Sequence, residues 1–92
     1  MDSNALSVGR SVASLVQTRY GGDQRAAFNA YAGRGGEVDR AGLERLLRDA
    51  GVGNGLTRGF YVDGVMDRFD TGPRNGSISW AEYQSGLRSV GQ

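Results

Sequence analysis

Forty residues apart, the chain repeats one short pattern, Gly36-Glu37-Val38-Asp39 and Gly76-Ser77-Ile78-Ser79. Each copy is a glycine, a variable residue, a β-branched aliphatic and a residue able to cap a helix, and each precedes an amphipathic stretch. The repeat is one of pattern rather than identity. It predicts two helix-loop-helix units, and 92 residues leave room for a single domain with one modest core.

The remaining elements follow from apolar spacing and from glycine. Val8, Val12, Val16 and Tyr20 recur four residues apart, with Leu15 beside them, so Ser3 to Tyr20 reads as a helix with one apolar stripe, ended by Gly21-Gly22. Asp23 is placed to cap a second helix in which Ala27, Phe28 and Tyr31 share a face; Ala32-Gly33-Arg34-Gly35-Gly36 stops it. Glu37-Val38-Asp39 reads as a short extended piece. Asp39 then caps a third helix facing inward with Leu43, Leu46, Leu47 and Ala50. Residues 51–56 are a connector, and Thr57 is the cap candidate for a fourth helix with a broad apolar face of Phe60, Tyr61, Val65, Met66 and Phe69. Asp70 to Gly76 forms the second loop. Ser79-Trp80-Ala81-Glu82 has the spacing of a capping box and opens a fifth helix carrying Trp80, Tyr83, Leu87 and Val90.

Composition removes several function classes. The chain has no cysteine and no histidine, so disulfides, thiolate chemistry and the commonest transition-metal ligand are missing, and a zinc site is effectively excluded. Eleven arginines are interleaved with ten acids for a net charge of +1, with no block of like charge to follow a nucleic-acid backbone or an anionic membrane. No nucleophile has a base at motif spacing, and Gly33-Arg34-Gly35-Gly36 lacks the ending of a phosphate-cradling loop, so catalysis is not expected. No run is long enough to span a membrane and no leader precedes the first helix, which favours a soluble, cytoplasmic chain.

From Asp23 onward, about 70 residues resemble the EF-hand superfamily, carried by Gly36-Glu37-Val38 and Gly76-Ser77-Ile78 with their following caps. Phe28 to Leu43, with its aromatic and its Ala32-Gly33 loop start, resembles the shortened first hand of penta-EF-hand proteins. The resemblance implies an all-α fold, an EF-hand-like pair of helix-loop-helix units joined by a two-stranded bridge between Val38 and Ile78. Hand one would run over 23–50 and hand two over 57–90, with residues 1–22 forming an N-terminal helix packed on the core as part of one domain.

Calcium is the cofactor implied, and it needs six to eight oxygens including a bidentate carboxylate. In the first loop the acid position falls on Gly35 and the bidentate position on Gly42, leaving the Ala32 and Glu37 carbonyls and the Asp39 carboxylate beside Arg34. No useful affinity is expected there. In the second loop the resemblance implies Asp70, Asn75, Ser77 through its carbonyl, and Glu82 as the bidentate end. That loop is one residue long of the standard twelve, and Gly72 and Arg74 stand where oxygen side chains belong. A site of two carboxylates would bind on the order of 10⁻⁴–10⁻³ M.

Structural roles compete for the same residues. Asp70 can end the fourth helix and Glu82 can complete the box with Ser79, while Asp39 is a cap first. Trp80, Tyr83, Phe60, Phe69 and Met66 read as core before groove, and the N-terminal stripe can lie across the pair as a lid. The function implied is a protein-interaction or regulatory module for a protein or peptide partner, with one weak Ca²⁺ site or with both loops degenerate.

Overall fold

The computed structural model describes residues 3–70 and 75–89. Its elements are α1 (Ser3–Tyr20), α2 (Gln24–Tyr31), β1 (Val38–Asp39), α3 (Arg40–Asp49), α4 (Arg58–Phe69), β2 (Ser77–Ile78) and α5 (Trp80–Ser89). The chain is mostly helical with a small two-stranded sheet. Expectations placed on Gly72, Arg74 and Val90 lie outside the described residues.

Three of the helices are capped by the side chains the sequence points to. Asp23 Oδ1 accepts from the Ala26 N–H at 3.0 Å, and Asp39 Oδ1 accepts from the Gly42 N–H at 2.8 Å. Each satisfies a first-turn donor that has no partner inside its helix. At α5 the box is reciprocal: the Glu82 N–H donates to Ser79 Oγ at 3.1 Å and the Ser79 N–H donates to Glu82 Oε1 at 2.9 Å. Thr57 differs. It stands at the start of α4 without a side-chain capping bond, because its hydroxyl is engaged with Asn54, donating to Oδ1 at 3.2 Å and accepting from the Asn54 N–H at 3.0 Å. Asn54 Oδ1 also accepts from the Leu56 and Thr57 N–H groups, so an Asx turn organises this entry.

The two repeats meet in an antiparallel bridge with Val38 opposite Ile78 and Asp39 opposite Ser77. Gly36 and Gly76 lead into it at φ +77° and +81°, the left-handed region that a side chain would strain. Val38 and Ile78 are then both buried, and Ile78 joins Leu47, Val16 and Val62 as the most enclosed side chains. Each of these four contributes about 1.5–3 kcal/mol by leaving water.

Around the bridge, α1 lays Val12, Leu15 and Val16 on α2 and α3, while α4 packs on α3 and α5. The rings of Phe28, Trp80, Tyr83 and Phe69 form a chain with neighbouring centroids 5.4–6.1 Å apart. Arg25 stacks over Trp80 at 4.7 Å and ties α2 to α5. The helices come unusually close at two glycines: a Cβ at Gly42 would collide with the Tyr31 carbonyl, and one at Gly86 would enter the Phe69 ring.

One expectation about α4 is corrected. Phe60 is not a core residue; it is 78% exposed, and the inward face of α4 is set by Val62 and Phe69, with Met66 partly buried between them. These three share one side at helical spacing, and Phe60 lies well away from it. The connector opens by closing off α3. Val52 is buried, and its N–H closes on the Leu47 carbonyl at 2.8 Å while the Gly51 N–H reaches Arg48 at 3.1 Å, the paired bonds of a Schellman ending for α3.

Candidate functional site

The second loop is held by its own side chains. Asp70, at the C-terminal end of α4, is 6% exposed and accepts from two loop N–H groups: Asn75 to Oδ1 at 3.3 Å and Gly76 to Oδ2 at 2.9 Å. Asn75 Oδ1 accepts from the Ser77 N–H at 3.0 Å, and Asn75 Nδ2 donates across to Glu37 Oε1 of the first loop at 3.4 Å. Ser77 lies in β2, and Glu82, 9% exposed, holds the capping box. The structure thus brings Asp70, Asn75 and Ser77 together by direct hydrogen bonds and gives Glu82 a local task at α5.

The side-chain donors expected for calcium among the described residues are already engaged in hydrogen bonds. Two carboxylates supply the charge, each accepts from backbone N–H groups, and the Asn75 amide oxygen is also engaged. Among the described residues no group of three acidic side chains converges. The first loop is shut differently: Gly42, at the bidentate position, lies against the Tyr31 carbonyl, and the Gly33 N–H bonds to the Glu37 carbonyl at 2.8 Å. The end of α2 and the start of α3 therefore touch directly, with Asp39 occupied as a cap.

The feature that sequence reasoning undervalued lies where α1, α4 and α5 meet over the core. An open cleft of about 510 Å³ runs along α4, walled by Val8 and Val12 of α1 and Leu87 of α5, with Leu46 and Phe28 from the core. Protein interiors leave few voids larger than a water molecule. A volume this size falls within the roughly 300–1,000 Å³ typical of ligand sites. From α4 and its N-cap the lining residues are Thr57, Phe60, Tyr61, Gly64, Val65, Arg68 and Phe69, most of them on the i, i+3, i+4 stripe of one helix face. Arg68 is the single charged side chain among the described lining residues. Phe60 forms part of the wall, and Leu56, 90% exposed, precedes it by one turn in the chain.

A third cluster joins α1 to the rest. The Tyr31 hydroxyl donates to Asp49 Oδ2 at 2.6 Å, and Arg19 approaches the same oxygen at 3.3 Å. The Tyr31 bond, aided by Arg19, holds the Asp49 carboxyl below the usual carboxylate range, while burial and that bond raise the Tyr31 phenol. Tyr83 is pushed up to about 12 by burial, its hydroxyl donating to Gln24 Oε1 at 2.7 Å. These contacts secure α1, α2, α3 and α5 around the cleft.

No helix among the described residues is long and apolar enough to cross a membrane. Comparison with protein-family models, with curated proteins and with solved structures finds no match to this chain.

Proposed function

We propose that this chain is an EF-hand-like interaction module that works without an ion and receives an apolar segment of a protein partner in the cleft along α4. The observation that carries the reading is the cleft itself, a largely apolar trough with Phe60 exposed on its wall. Soluble chains seldom leave such apolar surface uncovered unless something docks there. Support for the EF-hand-like part comes from the two positive-φ glycines, the Val38–Ile78 bridge and the helix caps that follow it. The hydrogen bonds that Asp70 and Asn75 make within the second loop support the ion-independent part.

The test is a titration with a neutral amphipathic helical peptide, leucine on one face and glutamine elsewhere, followed by amide chemical shifts. Saturable shifts over Val8, Val12, Phe60, Gly64, Val65 and Leu87 are expected. Scattered or absent shifts contradict the reading.

A further inference from the structure

Two asparagine–glycine pairs stand in loops of this chain, Asn54-Gly55 before α4 and Asn75-Gly76 before β2. All four residues are exposed. Asparagine is thermolabile, and most of all before glycine. Once the glycine N loses its proton it attacks the asparagine side-chain carbonyl carbon, and glycine has no side chain to obstruct that approach. The structure treats the two pairs differently at both reacting atoms.

At the nucleophile, the Gly76 N–H donates to Asp70 Oδ2 at 2.9 Å. Removing that proton would set an anionic nitrogen against a carboxylate, which like charge disfavours. The Gly55 N–H makes no hydrogen bond among the described residues, and a Cβ built at Gly55 meets nothing within 4 Å. At the electrophile, Asn75 Oδ1 accepts from the Ser77 N–H alone among the described residues. Asn54 Oδ1 accepts from three donors: the Leu56 N–H at 2.8 Å, the Thr57 N–H at 3.0 Å and the Thr57 hydroxyl at 3.2 Å. Those donors polarise the carbonyl and lie where its oxygen gathers negative charge as the ring closes, the arrangement of an oxyanion hole.

We infer that Asn54 is a site of spontaneous self-modification, converted through a succinimide to aspartate and isoaspartate, while Asn75 is shielded from the same reaction. Gly55 N gives its proton to solvent base and bonds to Asn54 Cγ. The Cγ–Nδ2 bond then breaks, and the side-chain nitrogen takes a proton from water and leaves as ammonia. Water opens the ring at either carbonyl, giving aspartate from the side-chain one and isoaspartate from the main-chain one. In isoaspartate the main chain is one methylene longer, and the carbonyl that receives the Arg58 N–H at 2.9 Å becomes a free carboxylate. The lead-in to α4 and to the Phe60 wall of the cleft is thereby altered as the molecule ages. The reaction does not depend on what the cleft receives.

The experiment incubates the full chain at about pH 8 and follows both sites by peptide mass spectrometry. Cleavage after arginine puts the two pairs on separate peptides, residues 49–58 and 75–88. Aspartate plus isoaspartate is expected to accumulate at Asn54 roughly tenfold or more faster than at Asn75. In urea, where both loops are unfolded, the two rates converge. Thr57→Val, which lacks the hydroxyl donor, slows the reaction at Asn54, and Thr57→Ser restores it. Equal rates in the folded chain overturn the inference, as does a gap that persists in urea. Acceleration in Thr57→Val also overturns it, because the turn would then protect Asn54 by holding it still.

Discussion

Three helical glycines receive the same substitution and give opposite results. At Gly64, alanine adds a methyl group to open space, so the helix gains its propensity difference of about 0.8–1 kcal/mol at no packing cost. For a domain of this size that raises Tm by about 4–8 °C. At Gly86 the added methyl overlaps the Phe69 ring, which is held against Tyr83 at 6.1 Å. Overpacking costs about 1–3 kcal/mol, which outweighs the propensity gain and leaves a net loss of about 1 kcal/mol. At Gly42 the collision is with the backbone carbonyl of Tyr31, which no rotamer change relieves, and the net loss is about 2 kcal/mol or more. Urea denaturation of the three variants, with unchanged m values, reads these numbers directly. A destabilised Gly64→Ala with an unchanged m value would refute the reasoning, because it would mean that the space above Gly64 is filled in solution and the cleft closed.

Other consequences are more local. Tyr31→Phe removes a hydrogen bond to a charged acceptor and should cost about 1.5–2 kcal/mol by thermal or urea unfolding. Because the Asp49 pKa is lowered by folding, its contribution is complete above the unfolded value of about 3.9 and is lost as pH falls through the folded one. Acid titration of stability below about pH 4 should therefore be shallower in Tyr31→Phe than in the unaltered chain. Asp70→Ala leaves the Asn75 and Gly76 N–H groups without their acceptor and should cost about 2–3 kcal/mol, with amide exchange accelerated first at Gly76. Ser79→Ala removes half of the box that starts α5 and should cost about 1 kcal/mol.

Much of the architecture was legible because it is written in local chemistry. The glycine and aliphatic repeat predicted the two turns, the resemblance it carries implied the pairing of Val38 with Ile78, and Asp23, Asp39 and Ser79 announced their helices through the need to satisfy first-turn N–H groups. What stayed hidden depends on which face wins. The fourth helix carries apolar residues around most of its circumference, from Phe60 through Tyr61 and Val65 to Phe69, Val62 and Met66. Periodicity alone cannot rank them, since only packing decides which pairs with α3 and α5. The surplus was the available signal: a helix with more apolar residues than one buried face can hold has a second surface to cover. Thr57 takes the N-cap position of α4 as expected, but Asn54 three residues earlier engages its hydroxyl, so its side chain makes no capping bond. At Asp70 and Glu82 the same residues suit an ion shell, a loop brace and a helix cap, and only the hydrogen-bond geometry separates those roles.

The central claim, that the fold and its cleft stand without an ion, is tested most directly by unfolding the full chain in EDTA, in 10 mM Ca²⁺ and in 10 mM Mg²⁺ at matched ionic strength. A site of 10⁻⁴–10⁻³ M affinity would stabilise the folded state by about 1.4–2.7 kcal/mol at that Ca²⁺ concentration. That corresponds to a rise of about 6–20 °C in Tm for a domain of this length. The account predicts superimposable curves in all three solutions. A Ca²⁺-specific rise of that size, absent with Mg²⁺, would contradict it and return Asp70, Asn75, Ser77 and Glu82 to the role of ligands.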